Sequence, residues 1–260
     1  SPSPTTESPS LLIIEDNPDV VVYLKSCLAE LYQLDVAYNG KIGIEKALES
    51  IPDLIVSDVM MPEKDGYEVC DTLKNDERTS HIPIILLTAK ADTTSKIFGL
   101  KRGADAYLTK PFDKEELLVR LEMLVERQQR MVAYFSKNLF SENTAALQET
   151  EDAILVEDAF MRKVRQIVEA NYADEDFALP QLCQKMGMSR SQLFRKMKAL
   201  SDTSPSDFIR FYRLNKAKAL LETTDLTVSE VAWKVGYKNP NHFSKSFQEA
   251  FGILPSATSN

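Results

Sequence analysis

Five short apolar runs alternate with amphipathic segments in the first half of this 260-residue chain. The runs are LLIIE (11–15), LDVA (34–37), LIVSD (54–58), PIILLT (83–88) and AYLT (106–109). Helical periodicity marks the segments at about 18–31, 40–50, 65–75, 93–102 and 113–125. Continuously apolar strands that alternate with helices predict a parallel sheet covered on both faces. Five such units predict a doubly wound, five-stranded α/β domain.

Polar residues stand where these runs end. Glu15 and Asp16 follow the first run, Asp58 ends the third, Thr88 ends the fourth and Lys110 follows the fifth. Alone, each is ordinarily a helix cap or a turn residue. Together they would converge, because ligand sites in such folds lie beyond the carboxyl ends of the strands. Converging carboxylates favour Mg²⁺, and a carboxylate held there can attack phosphorus to form an aspartyl phosphate.

The motifs of this region resemble the receiver domain of two-component response regulators, which has a flavodoxin-like fold. The matching motifs are Glu15-Asp16, VSDVMMPEKDG around Asp58, LLTAK with Thr88, and GADAYLTKPF with Tyr107 and Lys110. The resemblance implies that Asp58 accepts a phosphoryl group from a phosphohistidine on a histidine kinase. Lys64 departs from the family pattern, because many relatives carry an apolar residue there, and we expect it to affect the choice of partner.

The same resemblance implies a role for each site residue. The implied residues are the phosphoacceptor Asp58, the Mg²⁺ ligands Glu15, Asp16, Asp58 and Met60 (through its backbone carbonyl), and the phosphoryl-binding and switch residues Thr88, Lys110 and Tyr107. It also implies a cis Lys110–Pro111 bond, although most X–Pro bonds are trans.

An enzyme is the main alternative for this region. Phosphatases of the haloacid dehalogenase type carry a second Asp two residues after the nucleophile, where this chain has Met60. The chain also contains no G-x-G-x-x-G and no G-x-x-x-x-G-K-[ST] motif, which argues against dinucleotide and P-loop folds. We therefore expect a slowly decaying phosphoryl mark on a non-enzymatic regulator that assists only its own phosphorylation and dephosphorylation.

The composition divides the chain into differently charged parts. Residues 176–260 carry a net charge of +5, whereas residues 1–175 carry −13, which suggests an acidic module joined to one that meets a polyanion. The predicted divisions are a Ser/Pro linker (1–10), the receiver (11–128), a helical and acidic connector (129–152) and a helical module (153–260). Three isolated cysteines argue against a disulfide framework and favour a reducing compartment.

A heptad-like stripe runs from the last receiver helix into the connector. Its members are Leu117, Leu121, Leu124, the polar Gln128, Met131 and Phe135. Such a stripe can pair two chains in a coiled coil, although for Leu117 and Leu121 we favour packing on the receiver sheet. We expect the later positions to help two chains associate when the receiver is phosphorylated.

Two similar segments, 179–200 and 228–252, each have helix-turn-helix order, with Gly187 and Gly236 in the turns. The helical period of 3.6 residues per turn places polar side chains on the outer face of the second helix of each unit, where they can contact base edges or phosphates. The candidate DNA-binding residues are Ser189, Arg190, Ser191, Arg195, Asn241, His242 and Lys245. The long helix between the units spans nearly 30 Å, close to one DNA turn.

This module resembles the AraC-type DNA-binding domain through MSRSQLFRKMKAL, FIRFYRLNKAKALL, VSEVAWKVGY and NHFSKSFQEAFG. The resemblance implies a transcription regulator that binds tandem sites on double-stranded DNA. A scaffold whose helical module meets protein is the remaining alternative.

The domain order and the start without Met resemble the C-terminal end of a hybrid two-component sensor, which we prefer to a free-standing regulator. The kinase partner would then lie in the same polypeptide, anchored in the inner membrane. We expect this chain itself to be cytoplasmic, without membrane contact.

Overall fold

A computed structural model of the chain describes residues 8–89, 104–138 and 152–258. The chain divides into two compact units, Ser1–Ala133 and Tyr134–Asn260. The division between them falls inside the segment that the sequence assigns to the connector. None of the described helices is both long and apolar enough to cross a bilayer.

The first unit contains five strands and, among the described residues, four helices. The strands are β1 (Ser10–Ile14), β2 (Gln33–Ala37), β3 (Leu54–Asp58), β4 (Ile84–Thr88) and β5 (Ala106–Thr109). The helices are α1 (Pro18–Leu28), α2 (Gly40–Ser50), α3 (Gly66–Lys74) and α4 (Lys114–Asn138), of which α4 continues past Ala133 into the second unit. All strand pairs are parallel, in the order β2-β1-β3-β4-β5, which confirms the predicted sheet. The helix predicted at 93–102 lies outside the described residues.

Each apolar strand supplies two cores because successive side chains point to opposite faces of the sheet. In β1, Leu12 and Ile14 pack with residues of α2 and α3, whereas Leu11 and Ile13 pack with residues of α1 and α4. This two-sided burial explains why the strands read as continuous apolar runs.

The predicted heptad stripe divides in α4. Leu117, Leu121 and Leu124 are buried in the core beneath the sheet, so the early part of the stripe is receiver packing. Met131 is half-buried. The side chain of Phe135 lies outside the described part of the chain, and the pairing of two chains stays a prediction.

A half-buried carboxylate, Asp105, ties together several elements at the end of the sheet where the strands begin. Its side chain is 13% exposed and accepts from Lys74 Nζ at 2.6 Å and from the Ile84 backbone N–H at 2.9 Å. Arg127 of α4 lies 3.2 Å from its other oxygen. Asp105 therefore fixes α4 and the end of α3 to the starts of β4 and β5.

The second unit is helical throughout its described part. Its helices are α5 (Asp152–Asn171), α6 (Leu179–Met186), α7 (Arg190–Ser201), α8 (Pro205–Thr223), α9 (Val228–Lys234) and α10 (Pro240–Phe251), followed by a 3₁₀ turn (Pro255–Ala257). The pairs α6–α7 and α9–α10 form the two predicted helix-turn-helix units. Gly187 and Gly236 end the first helix of each pair with positive φ angles of 67° and 79°.

Arg213 of α8 ties the central helix to the loop between α5 and α6. Its Nε donates to the carbonyl of Tyr172 at 2.9 Å, and Nη2 donates to the carbonyls of Asp174 at 2.7 Å and Phe177 at 3.0 Å. Burial lowers the pKa of Arg213 below its usual range, against the raising effect of Tyr237 and Asp174. Gly236 lies close to the Tyr172 carbonyl that accepts from Arg213, since a Cβ at position 236 would lie 2.4 Å from that oxygen.

Candidate phosphoacceptor site and nucleic-acid interface

The polar strand ends of the first unit meet as the sequence predicts. β1 and β3 are adjacent and pair Ile14 with Ser57, so the next residues, Glu15 and Asp58, emerge together. Lys110 follows β5 and reaches both, with its Nζ 2.7 Å from Glu15 Oε2 and 2.8 Å from Asp58 Oδ1. The ammonium group therefore bridges the two carboxylates.

Burial controls the electrostatics of this group. Glu15 is 1% exposed and Asp58 is 7% exposed. Burial raises the pKa of Glu15, and the charge of Asp58 adds to that rise, against the lowering effect of Lys110. Burial alone would lower the pKa of Lys110, but its hydrogen bonds to Asp58 and Glu15 hold that pKa above its ordinary value. Lys110 thus stays charged between its two partners.

The donor set fits a hard divalent cation. One carboxylate oxygen from each of Glu15, Asp16 and Asp58 lies within 4.8 Å of the others. Asp16 is exposed, so the cluster opens to solvent. Three carboxylates against the one ammonium of Lys110 leave excess negative charge, and oxygen ligands are those that Mg²⁺ takes. Met60 is in the following loop with its side chain 70% exposed, and its only oxygen is the backbone carbonyl.

Thr88 and Tyr107 lie on the same face of adjacent strands. β4 and β5 pair Leu86 with Tyr107, and Thr88 stands two residues beyond Leu86 on the same side. Thr88 is buried, and its carbonyl accepts from the Lys110 backbone N–H at 2.7 Å. The Tyr107 hydroxyl is buried without a hydrogen-bond partner in the described part of the chain, and burial raises its pKa. Thr88 is thus joined to Lys110 through its backbone carbonyl, the switch role of Thr88 and Tyr107 stays a prediction, and the cis Lys110–Pro111 bond is present as predicted.

Helix α7 separates a buried face from an exposed one. Leu193, Met197 and Leu200 are buried. The candidates Ser189, Arg190, Ser191 and Arg195 are all exposed. The Ser189 side chain accepts from the Gln192 backbone N–H at 3.3 Å, and Gln192 Oε1 accepts from the Ser189 backbone N–H at 3.0 Å. Ser189 thus caps α7, a role that Ser before a helix with Gln three residues later also predicts.

Helix α10 has the same arrangement. Phe243 and Phe247 are fully buried, whereas Asn241, His242 and Lys245 are exposed. Asn239 caps the helix by accepting from the backbone N–H groups of Asn241 at 2.8 Å and His242 at 3.4 Å. The sequence interpretation missed this cap, although Asn before Pro at a helix start is a signal for it.

Comparisons with known proteins find matches for both parts of the chain. A family model for the response regulator receiver domain matches residues 11–122, and a model for a helix-turn-helix domain matches residues 182–260. The chain joins a response regulator receiver domain to an AraC-type helix-turn-helix domain. Residues 11–122 therefore belong to the response regulator receiver family, and residues 182–260 belong to a helix-turn-helix family.

Relatives match this receiver and AraC-type chain over different lengths. It is 38% identical to histidine kinase P4 of Formosa agariphila over 98% of this chain, but spans only 18% of that kinase. It is 44% identical to response regulator ArlR of Staphylococcus saprophyticus over 45% of this chain and 53% of that regulator. The solved receiver domain of a Francisella response regulator is 35% identical, with a TM-score of 0.43, covering 46% of this chain and 98% of the other.

Proposed function

We propose that Asp58 accepts a phosphoryl group from a histidine kinase and that the phosphorylated receiver controls dimerisation and sequence-specific DNA binding. The observation that carries this proposal is the bridge from Lys110 to Asp58 and Glu15, beside an acidic cluster open to solvent. Aspartyl-phosphate chemistry needs such a nucleophile beside a cation that can meet the incoming phosphoryl oxygens.

The transfer is a displacement at phosphorus. An Asp58 carboxylate oxygen attacks the phosphorus atom of the phosphohistidine, the N–P bond breaks, and the imidazole leaves with the bonding electron pair. Lys110 then exchanges its contact with Asp58 for one with a phosphoryl oxygen. Mg²⁺, held by Glu15, Asp16, Asp58 and the Met60 carbonyl, would neutralise phosphoryl charge when bound.

A phosphorylation assay tests the acceptor. The chain is incubated with Mg²⁺ and a small phosphoryl donor such as acetyl phosphate, and intact-mass spectrometry counts phosphoryl groups. Asp58→Asn should gain none, whereas Glu49→Gln, an exposed carboxylate of α2, should match the unchanged chain. Full phosphorylation of Asp58→Asn would refute the assignment.

Dimerisation is measured separately by light scattering with and without the phosphoryl donor. We expect the unchanged chain to double in mass on phosphorylation and Asp58→Asn to stay monomeric. A dimer that forms equally with and without phosphorylation would leave Asp58 as the phosphoacceptor but contradict control of dimerisation by phosphorylation.

The two capped helices α7 and α10 support the DNA-binding part of the proposal. Both present exposed polar and cationic side chains over a buried apolar face, as helices that read a major groove do. Genomic DNA fragments are selected with and without Mg²⁺ plus beryllium fluoride, a phosphoryl mimic. Arg195→Ala and Lys245→Ala should lose selective binding, whereas Lys185→Ala, an exposed lysine of α6, should keep it.

The phosphoryl donor is proposed to lie in the same polypeptide. Support comes from the match to histidine kinase P4, which extends over nearly all of this chain. Reading the gene upstream of the Ser1 codon tests this point directly. An open frame encoding a kinase core is expected, and a stop codon with a start codon close to Ser1 would contradict it.

A further inference from the structure

One large apolar side chain is exposed on the face of α7 that carries the candidate base readers. Phe194 is 43% exposed, although Leu193 and Met197 on the same helix are fully buried. It stands three residues after Ser191 and four before Lys198, so these side chains neighbour each other on one helix face. Ser191 and Lys198 are exposed as well.

The position of Phe194 distinguishes it from other exposed apolar residues. A single exposed apolar side chain is ordinary on a protein surface. Phe194, however, stands in the second turn of a recognition helix, whose N-terminal residues are the ones that approach base edges. The Ser191 hydroxyl and the Lys198 ammonium flank it, so the side chain would enter the groove between polar groups that can contact phosphates and bases.

The chemistry of the major groove gives this side chain a partner. Every base pair presents hydrogen-bonding groups there, but only thymine adds an apolar group, its C5-methyl. A phenyl ring cannot hydrogen-bond to base edges, and it gains from removing a methyl group from water. Phenylalanine on a recognition helix therefore favours thymine.

We infer that Phe194 reads the methyl group of a thymine in the half-site that α7 binds. This inference rests on the proposed DNA-binding function and names what determines specificity in one half of the site. The second recognition helix, α10, has no strongly exposed large apolar side chain, and its outward candidates are Asn241, His242 and Lys245. The two half-sites are therefore read differently, one partly through a methyl group and the other through hydrogen bonds.

Uracil substitution tests the contact at the level of one methyl group. The operator is first identified by selection from random DNA, and each thymine in it is then replaced singly by uracil. We expect one or two positions in a single half-site to weaken binding by about fourfold each, the value of one buried methylene. In Phe194→Ala the same replacements should have no effect, and Phe194→Leu should retain part of it.

Trp233→Ala is the matched control. Trp233 is 57% exposed, but it lies on α9, which is not a recognition helix. Its removal should leave the uracil effect unchanged. All variants are compared at one salt concentration, because phosphate contacts make affinity depend on salt.

The outcomes separate this inference from the proposed function. If selection recovers an operator but uracil has no effect, or acts equally on Phe194→Ala, the methyl contact is refuted while DNA binding stands. If selection recovers no operator with or without the phosphoryl mimic, both are refuted.

Discussion

The two turn glycines of the helix-turn-helix units should respond very differently to the same substitution. Gly187 and Gly236 both have positive φ angles. A Cβ at Gly187 would meet no atom of the described residues within 4 Å, whereas a Cβ at Gly236 would lie 2.4 Å from the Tyr172 carbonyl oxygen and 2.9 Å from Arg213 Nη2. Alanine therefore adds only backbone strain at Gly187 but also displaces Arg213 or its acceptor at Gly236.

The geometry gives the expected size of each effect. A left-handed conformation costs an L-residue about 1–2 kcal/mol, and alanine recovers about 0.4–1 kcal/mol by restricting the unfolded chain. Gly187→Ala should therefore lower the free energy of unfolding by about 1 kcal/mol. Gly236→Ala also disturbs the bond from Arg213 to Tyr172, and a bond to a charged group is worth about 1.5–3 kcal/mol. Its total loss should be about 2.5–4 kcal/mol.

Urea unfolding measures the difference. The chain contains one tryptophan, Trp233, three residues before Gly236, so its fluorescence reports on the helix-turn-helix unit. Circular dichroism serves as the second probe. At the usual urea dependence of about 1–3 kcal/mol per molar, the midpoint for Gly236→Ala should lie about 1 M below that for Gly187→Ala. Equal midpoints would refute the argument that the Arg213 contact requires glycine at position 236.

Three further predictions concern the receiver. Lys110→Ala removes the cation that bridges Glu15 and Asp58, so Mg²⁺ affinity measured by calorimetry should rise. The phosphorylation rate should fall at least about tenfold, because that cation also meets the phosphoryl oxygens. A lower Mg²⁺ affinity would contradict this. Because burial raises the pKa of Glu15 and a metal ligand must be ionised, the Mg²⁺ affinity of the folded chain should rise with pH up to the raised pKa and then level off. Without metal, stability should fall as pH rises from the ordinary Glu15 pKa of 4.5 through the raised value, because the folded state binds that proton more tightly. A Glu15→Gln variant that keeps either pH dependence would show another group to be responsible. Asp105→Asn leaves two cationic partners without their carboxylate, so the free energy of unfolding of the receiver in urea should fall by about 2–3 kcal/mol. Hydrogen exchange near Arg127 should become faster. An unchanged urea midpoint would argue against a role for Asp105 in holding these elements together.

Much of the fold followed from local patterns. Apolar runs with helices between them predicted every strand and their parallel pairing, because a strand buried on both faces needs apolar residues at consecutive positions. The convergence of Glu15, Asp58 and Lys110 followed as well, since parallel strands end at the same edge. Periodicity also separated buried Leu193 and Phe243 from their exposed neighbours.

Local patterns missed the residues whose environment depends on distant elements. Lys196 of α7 is only 1% exposed, and its Nζ lies 4.5 Å from the centre of the Phe160 ring of α5. Phe194, two residues earlier, is the exposed one. Hydropathy alone would predict an exposed Lys196 and a buried Phe194, because it contains no information about which helix covers a position.

The sequence by itself determined the elements, the faces that they bury and the residues that could form the acceptor site. Helix and strand periods are properties of neighbouring residues, and so are caps and turns. Only the tertiary structure decided that Lys110 bridges two carboxylates. It also decided that Asp105 joins α3, α4, β4 and β5. Finally, it decided that Arg213 donates to the Tyr172 carbonyl, which lies beside Gly236. Each of these contacts joins groups far apart along the chain, and their distances depend on how whole elements pack.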